Sequence, residues 1–421
     1  MMRQRQNIIL AGIALVVVIL FAGVTSSAQS TPSARSLGMA GSYILEASNC
    51  EGAAANPANL ALPENRHFTL KLVSASGRVA NNAFTLADYN KYNGAYLTEG
   101  DKQDILAKIP ASGLDLDFDG GASALSFSAG SVALTTEVIG GGKGNLPKDP
   151  IELALTGNKI GEMVSAVGSG GRGWSAVSIG VSWGRRIAAV HGWDLGAGVS
   201  AKYLQGLGYF SAEGLSAQAV TLATGVCGSG GMTTIQSLGG KGYAFDLGFT
   251  AQGDCAQYGL VFRNLLASIK WDRELEKTVY TFYCDNMTVE NSGDDSIWTS
   301  EDYNVAISPL RSRPPLEVQL GASRRFGRLL TAASVKQGFE ETAFASKNPR
   351  VACGVEYQPI KLLALRSGIV VGGSDDISAG VGVGLGLQTL HVDLAYASAS
   401  RLVPWGGKGG QLAISTILEF Q

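Results

Sequence analysis

Charge is scarce in this sequence: Asp, Glu, Lys and Arg together make up 16% of its 421 residues, against about 25% in an ordinary soluble domain. The formal charge is −2, so no basic footprint for nucleic acid is present. Histidine occurs only at His67, His191 and His391, and the cysteines (Cys50, Cys227, Cys255, Cys284, Cys353) contain no CxxC spacing. A metal centre needs clustered ligands, so neither a metal nor another resident cofactor is expected. No serine sits in a nucleophile elbow with histidine and acid partners. The run Gly140–Gly144 lacks the following Lys-Ser or Lys-Thr of a phosphate loop and reads as a glycine-rich turn. Enzymatic chemistry is not expected. Beyond Val24 the chain also has no apolar run long enough for a membrane helix.

Glycine is plentiful, at 56 residues, in a chain that is 45% apolar. Disordered chains are not so apolar; a set of strands with small residues along one face is. The stretch Asp375–Tyr396 shows the pattern most clearly. Ile377, Ala379, Val381, Val383, Leu385 and Leu387 alternate with Ser378, Gly380, Gly382, Gly384, Gly386 and Gln388. Leu390, Val392, Leu394 and Tyr396 then alternate with His391, Asp393, Ala395 and Ala397. Successive strand side chains point to opposite faces, so each ribbon has one apolar face and one small or polar face. The pattern recurs through Phe68–Leu72, Leu114–Phe118, Val177–Trp183, Trp193–Tyr203, Tyr243–Phe249 and Leu412–Phe420. About fourteen such ribbons, apolar outside and aromatic at their ends, predict an all-β fold: an antiparallel transmembrane β-barrel, closed so that no edge faces lipid. A soluble periplasmic β-protein, with the apolar faces packed on each other, is the alternative.

The N-terminus points to export. Arg3 and Arg5 precede an apolar run from Ile8 to Val24 and the small residues Ser26-Ser27-Ala28, which is the layout of a signal peptide over residues 1–28. An uncleaved anchor is the alternative. With an odd number of cysteines at least one is unpaired, and Cys227 with Cys255 or with Cys284 is open as a pairing.

The segment after the signal is rich in small residues, with Leu37-Gly38-Met39-Ala40-Gly41 followed by Asn56-Pro57-Ala58-Asn59-Leu60. This pairing resembles the N-terminus of FadL-type outer-membrane transporters of long-chain fatty acids and aromatic hydrocarbons. The run from Leu86 to Pro110 is similar to a family of bacterial envelope proteins that share the same Asn-Pro-Ala-Asn-Leu start, with no activity implied by that likeness. The penultimate Phe420 resembles the C-terminal aromatic signal of outer-membrane proteins, displaced by Gln421.

The resemblance implies a plug, or hatch, inside the barrel over residues 29–66, with the barrel itself over 67–421. It makes Asn56, Pro57, Ala58 and Asn59 the candidate site residues, forming a rigid turn that holds the hatch against the wall. Helical insertions are expected near 83–110 and 148–166. Residues 211–240 read as extended chain or loop, and 274–315 as a long irregular loop with an acidic stretch. The function implied is passive uptake of hydrophobic small molecules such as fatty acids across the outer membrane, with lipid and a hydrophobic ligand as partners. A shift of the plug or a kink in a strand would release the ligand. The alternative is a structural or secretion-associated scaffold barrel. A continuous apolar cavity would favour transport, and a large fixed external loop would favour the scaffold.

Overall fold

The computed structural model describes residues 33–47, 49–62, 68–288, 290–291, 297–340, 346–374, 376–403 and 406–420. The signal-peptide expectation for 1–28 lies outside the described residues. Alternation drives the fold, and it produces a closed wall. Its strands are β1 (Phe68–Asn81), β2 (Leu114–Ala129), β3 (Val132–Leu146), β5 (Gly170–Val190), β6 (Trp193–Glu213), β9 (Gly240–Gln252), β10 (Ala256–Trp271), β14 (Glu317–Phe326), β15 (Leu329–Gly338), β16 (Arg350–Ile360), β17 (Leu363–Gly372), β18 (Ile377–Leu387), β19 (Leu390–Ser398) and β20 (Gly409–Phe420). Each pairs antiparallel with the next in this order, and β20 closes onto β1 from Phe420–Phe68 to Gly409–Ala80. The result is the expected 14-stranded barrel. No helix among the described residues is long and apolar enough to cross a membrane; strands form the wall.

One end of the wall is made of tight connections, such as Ala129–Val132, Val190–Trp193 and Leu387–Leu390. All the long connections leave from the other end. The face alternation is plain in β6: Val199 and Tyr203 are exposed, while Gly198, Ser200 and Leu204 point inward and are buried. Outward rings gather at two levels. Phe68 stacks near Phe127 and Phe420, and Trp193 meets Tyr258, at the tight-turn end. Tyr243 meets Phe245 nearer the other end. Trp193 to Tyr203 on one strand rises about 34 Å, or about 25 Å along the barrel axis at a tilt of about 45°, which is the height of a lipid-facing belt.

Beyond the belt the same sheet continues outward past the barrel wall. The far end of β6 leaves β9 and pairs with β8 (Val226–Ser237). β8 pairs in turn with β7 (Gln218–Thr221) and β11 (Glu276–Met287), β7 with β4 (Met163–Ser165), and β11 with β12 (Trp298–Val305). The short β13 (Leu310–Ser312) runs beside the end of β10. Residues 211–240, expected as extended chain or loop, and 274–315, expected as a long irregular loop, are therefore largely sheet. The reason is visible in Thr278-Val279-Tyr280-Thr281-Phe282-Tyr283, a β-branched and aromatic run that lacks the wall's strict alternation. Gly140–Gly144 is likewise not a turn: it lies inside β3 and pairs with Gly171–Ser175. All five cysteines are free thiols. Cys227 lies in the outer sheet and Cys255 beside a tight turn at the opposite end, so those two cannot meet.

Helices α1 (Ala34–Gly38) and α2 (Asn49–Ala55) precede the wall, α3 (Leu86–Tyr92) and α4 (Glu99–Lys108) join β1 to β2, and α5 (Lys148–Thr156) follows β3. Thr85 and Thr98 begin α3 and α4 with full capping boxes to Asp88 and Asp101. These two helices sit at the long-connection end and are mostly exposed.

Candidate functional site at the N-terminal segment and the lumen

Small residues allow residues 33–62 to lie against the inner wall. Ser33 caps α1 by accepting from the Ser36 N–H at 3.2 Å, and Ala34 N–H donates to Ser415 Oγ of β20 at 3.0 Å. Ala40 and Gly41, both at positive φ (54° and 83°), end the helix and turn the chain. From there the segment follows the wall strand by strand. A methyl added at Gly368 of β17 would meet Met39, one at Gly321 of β14 would meet Ile44 at 2.7 Å, and one at Gly184 of β5 would meet Pro57 O at 2.7 Å. Gly380, Gly354, Gly259, Gly248 and Gly198 likewise face Leu37, Ser42, Leu45, Asn56 and Pro57 with no room for a side chain. The glycine excess on the inward faces is thus a track for the segment.

The four candidate residues lie at the end of this track. Asn56, in extended backbone (φ −154°, ψ 110°), caps the single-turn 3₁₀ helix Pro57–Ala61, and Pro57 occupies its first turn. Asn56 Oδ1 accepts from the Ala58 N–H at 3.0 Å, and its Nδ2 donates to Phe249 O of β9 at 3.1 Å. Asn59 Nδ2 donates to Ile44 O at 2.9 Å and to Ala47 O at 3.0 Å. Both asparagines and Ala58 are 0% exposed. One asparagine thus ties the turn to the wall, and the other ties it to the earlier part of its own segment.

Further anchors were not singled out from the sequence. Arg35 donates twice to Glu356 of β16, at 2.7 Å each, and stacks 4.4 Å over the Tyr43 ring. Arg366 of β17 bonds the same Glu356 at 2.7 Å and also reaches Asp393 of β19. Gln257 donates to Leu45 O at 3.0 Å, Gln319 to Gly41 O at 3.2 Å, and Arg263 to Ala55 O at 2.6 Å. A sequence signal exists for this group: Glu356, Arg366 and Asp393 each interrupt the small-residue face of an alternating strand. Burial holds the Tyr43 phenol above its ordinary range, so it stays protonated and donates to Glu46 O at 2.7 Å. Burial likewise pushes the Cys50 thiol up.

The lumen is layered. Level with the segment lie two polar cavities, of about 110 Å³ beside Lys71 and Arg263 and about 170 Å³ beside Arg35 and Asp393. Above them Lys202 pairs with Asp246 at 2.5 Å, with Glu137 buried nearby. Higher still, inward-facing Ile139, Trp174, Leu204, Ile269 and Trp271 pack into one apolar cluster. There β10 bulges at Asn264 (φ 56°), and its ladder to β14 stops at Arg263–Glu317 before resuming with β13 at Ile269–Ser312. Pro314 and Pro315, which cannot donate, fill the gap.

Against solved structures the chain is similar in fold to a FadL homologue of Pseudomonas aeruginosa, at TM-score 0.53 and 13% identity, over 94% of this chain and 100% of that one. It is also similar to two mutants of the monoaromatic hydrocarbon channel TodX. The ΔS2S3 mutant gives TM-score 0.50 at 13% identity, over 92% of this chain and 98% of that one. The ΔS2 mutant gives 0.50 at 14%, over 92% and 97%. No family model matches the sequence, and no curated protein does. The fold is that of the FadL-type outer-membrane barrels.

Proposed function

We propose that this chain is an outer-membrane channel for passive uptake of hydrophobic small molecules, with residues 33–62 as its plug. The observation that carries this reading is the inward-facing apolar cluster of Trp174, Leu204, Ile269 and Trp271, which lies between the long-connection end and residues 33–62, the proposed plug. Short turns of such barrels face the periplasm and long loops face outward, so the cluster stands on the entry side of the plug. An apolar molecule would leave lipid or water there, and the charged layer below would stop it until the wall or the plug moved. The ladder broken between Arg263–Glu317 and Ile269–Ser312, beside Asn264 and Pro314-Pro315, leaves few hydrogen bonds to lose in that part of the wall. Asn56 and Asn59 would hold the plug closed. The named ligands of the neighbours support the class of cargo; fold by itself does not fix function.

The test is uptake of labelled oleate and of toluene by cells that lack their own hydrophobic-uptake barrel. Expression of this chain should raise uptake of at least one above the vector control, and Trp271→Ala together with Leu204→Ala should reduce it several-fold. Uptake equal to the control, with folded barrel present in the outer membrane, would overturn the reading.

One observation favours a second reading, the scaffold barrel. The outer sheet of β4, β7, β8, β11 and β12 is ordered structure, with Tyr280, Tyr283 and Tyr303 exposed on it, and the cavities around the segment are polar. Crosslinking from the outer sheet to another envelope protein, with no uptake of either compound, would decide for it.

A further inference from the structure

The cavity of about 110 Å³ between the N-terminal segment and the wall is unusual in its charge. Its lining includes four cations, Lys71 of β1, Arg263 of β10, Lys336 of β15 and Arg350 of β16, against two carboxylates, Glu51 of α2 and Glu317 of β14. Lys336 and Glu317 satisfy each other at 3.0 Å. Arg350 donates to Ala40 O. Arg263 spends its terminal nitrogens on neutral oxygens, Gln319 Oε1 at 2.9 Å and Ala55 O at 2.6 Å, and its buried Nε has no partner. Lys71 is 3% exposed and makes no hydrogen bond or ion pair within 4 Å among the described residues. Glu137 of β3, whose charge acts on both Lys71 and Arg263, lines a separate cavity of about 20 Å³ together with Lys202, which is paired to Asp246.

A buried ammonium without a partner is costly, and such groups are found paired or bound to a counter-charge. Glu51 and Glu137 act on the Lys71 ammonium electrostatically, but no ion pair within 4 Å joins either to it among the described residues, and Glu51 Oε1 also stands unpartnered. The cavity has several times the volume that one water needs, about 10–15 Å³. Guanidinium and ammonium groups converging on such a space match the geometry of a small oxyanion. We propose that this chamber is an anion site, taking a phosphate or a carboxylate head between Lys71 and Arg263 and so fastening the N-terminal segment to β1 and β10. This does not depend on the uptake reading: a scaffold barrel would hold the same ion.

The test is calorimetric titration of the full chain, folded in detergent at low ionic strength, with inorganic phosphate and, separately, with octanoate. One saturable site per chain is expected for at least one probe. The site should weaken at least ten-fold in Lys71→Met and in Arg263→Gln and persist in Lys71→Arg, which keeps the charge. Lys102→Ala on α4, outside the barrel, should bind like the wild type. Phosphate alone binding would identify a free oxyanion, and octanoate displacing phosphate would identify an amphiphile's head. Should Lys71→Met not fold, as judged by gel mobility before heating, Arg263→Gln and Lys71→Arg carry the comparison. No saturable heat with either probe, or equal affinity in every variant, would show a water-filled chamber and overturn the proposal.

Discussion

Glu356 is 1% exposed and is the only carboxylate that two arginines from different elements, Arg35 and Arg366, share within 2.7 Å among the described residues. Replacing it with glutamine leaves both guanidiniums facing a neutral amide. Removing one partner of a buried pair costs about 3–5 kcal/mol, so Glu356→Gln should lower the unfolding free energy of the folded barrel, read from denaturant titration, by that order. Arg325→Ala, which breaks a more exposed pair with Glu46, should change it by less than about 1 kcal/mol. Equal effects would mean that the inner network does not hold the segment. Glycines give a second contrast. Gly198 abuts Pro57 so closely that a side chain has no place, whereas Gly77 in β1 has nothing within 4 Å. Gly198→Val should therefore loosen residues 33–62, read as faster proteolysis of the segment and larger single-channel conductance. Gly77→Ala should leave both unchanged. These contacts were only half legible: the small-residue face was evident in the sequence, but nothing there says which glycine meets which residue of a segment more than a hundred positions away.

At the scale of elements, the insertion between β1 and β2 is the clearest case of local sequence deciding local structure. Thr-x-x-Asp at Thr85–Asp88 and at Thr98–Asp101 each starts a helix, and Lys108 returns to Asp88 to join the two. Burial pushes the Asp88 carboxyl up, but the hydrogen bonds from Lys108 and Thr85 outweigh it and hold the group at about 2, below its ordinary 3.8. A lowered folded value means that the contribution to stability is fully present above pH ~4 and is lost as pH falls through about 2. A carboxyl-shift titration should place the Asp88 midpoint near 2, with helix loss following it; a midpoint near 4 would show that the Lys108 contact is not formed in solution. The outer sheet is the opposite case. Residues 274–315 look like an acidic loop because they lack the wall's alternation; the β-branched and aromatic run of β11 favours a strand, and pairing with β8 on one side and β12 on the other completes it.

At the scale of the whole molecule, β20 closing on β1 leaves the wall without an edge, and the outward faces from Phe68 to Phe420 form an apolar belt. Such a barrel holds its shape in detergent until heated. The protein should fractionate with the outer membrane and migrate faster on a gel before boiling than after. A detergent-free soluble protein with no mobility shift would contradict the closed, lipid-embedded barrel.

By itself the sequence determined the wall strands, their inward and outward faces, the closed antiparallel wall and the helix that Thr98 caps. Period-two alternation and capping chemistry are local properties, written in neighbouring residues. Pro57 also marked Asn56 as extended or turn backbone, a local signal too, while the turn over Asn56–Asn59 was implied by the resemblance to FadL-type barrels. Only the tertiary structure decided what that turn touches: Phe249 through Asn56 and the segment's own Ile44 and Ala47 through Asn59. The same holds for the inner charges. Glu356, Arg366, Asp393, Lys71 and Arg263 lie on five different strands, and a charged side chain is held by what comes to face it across the lumen.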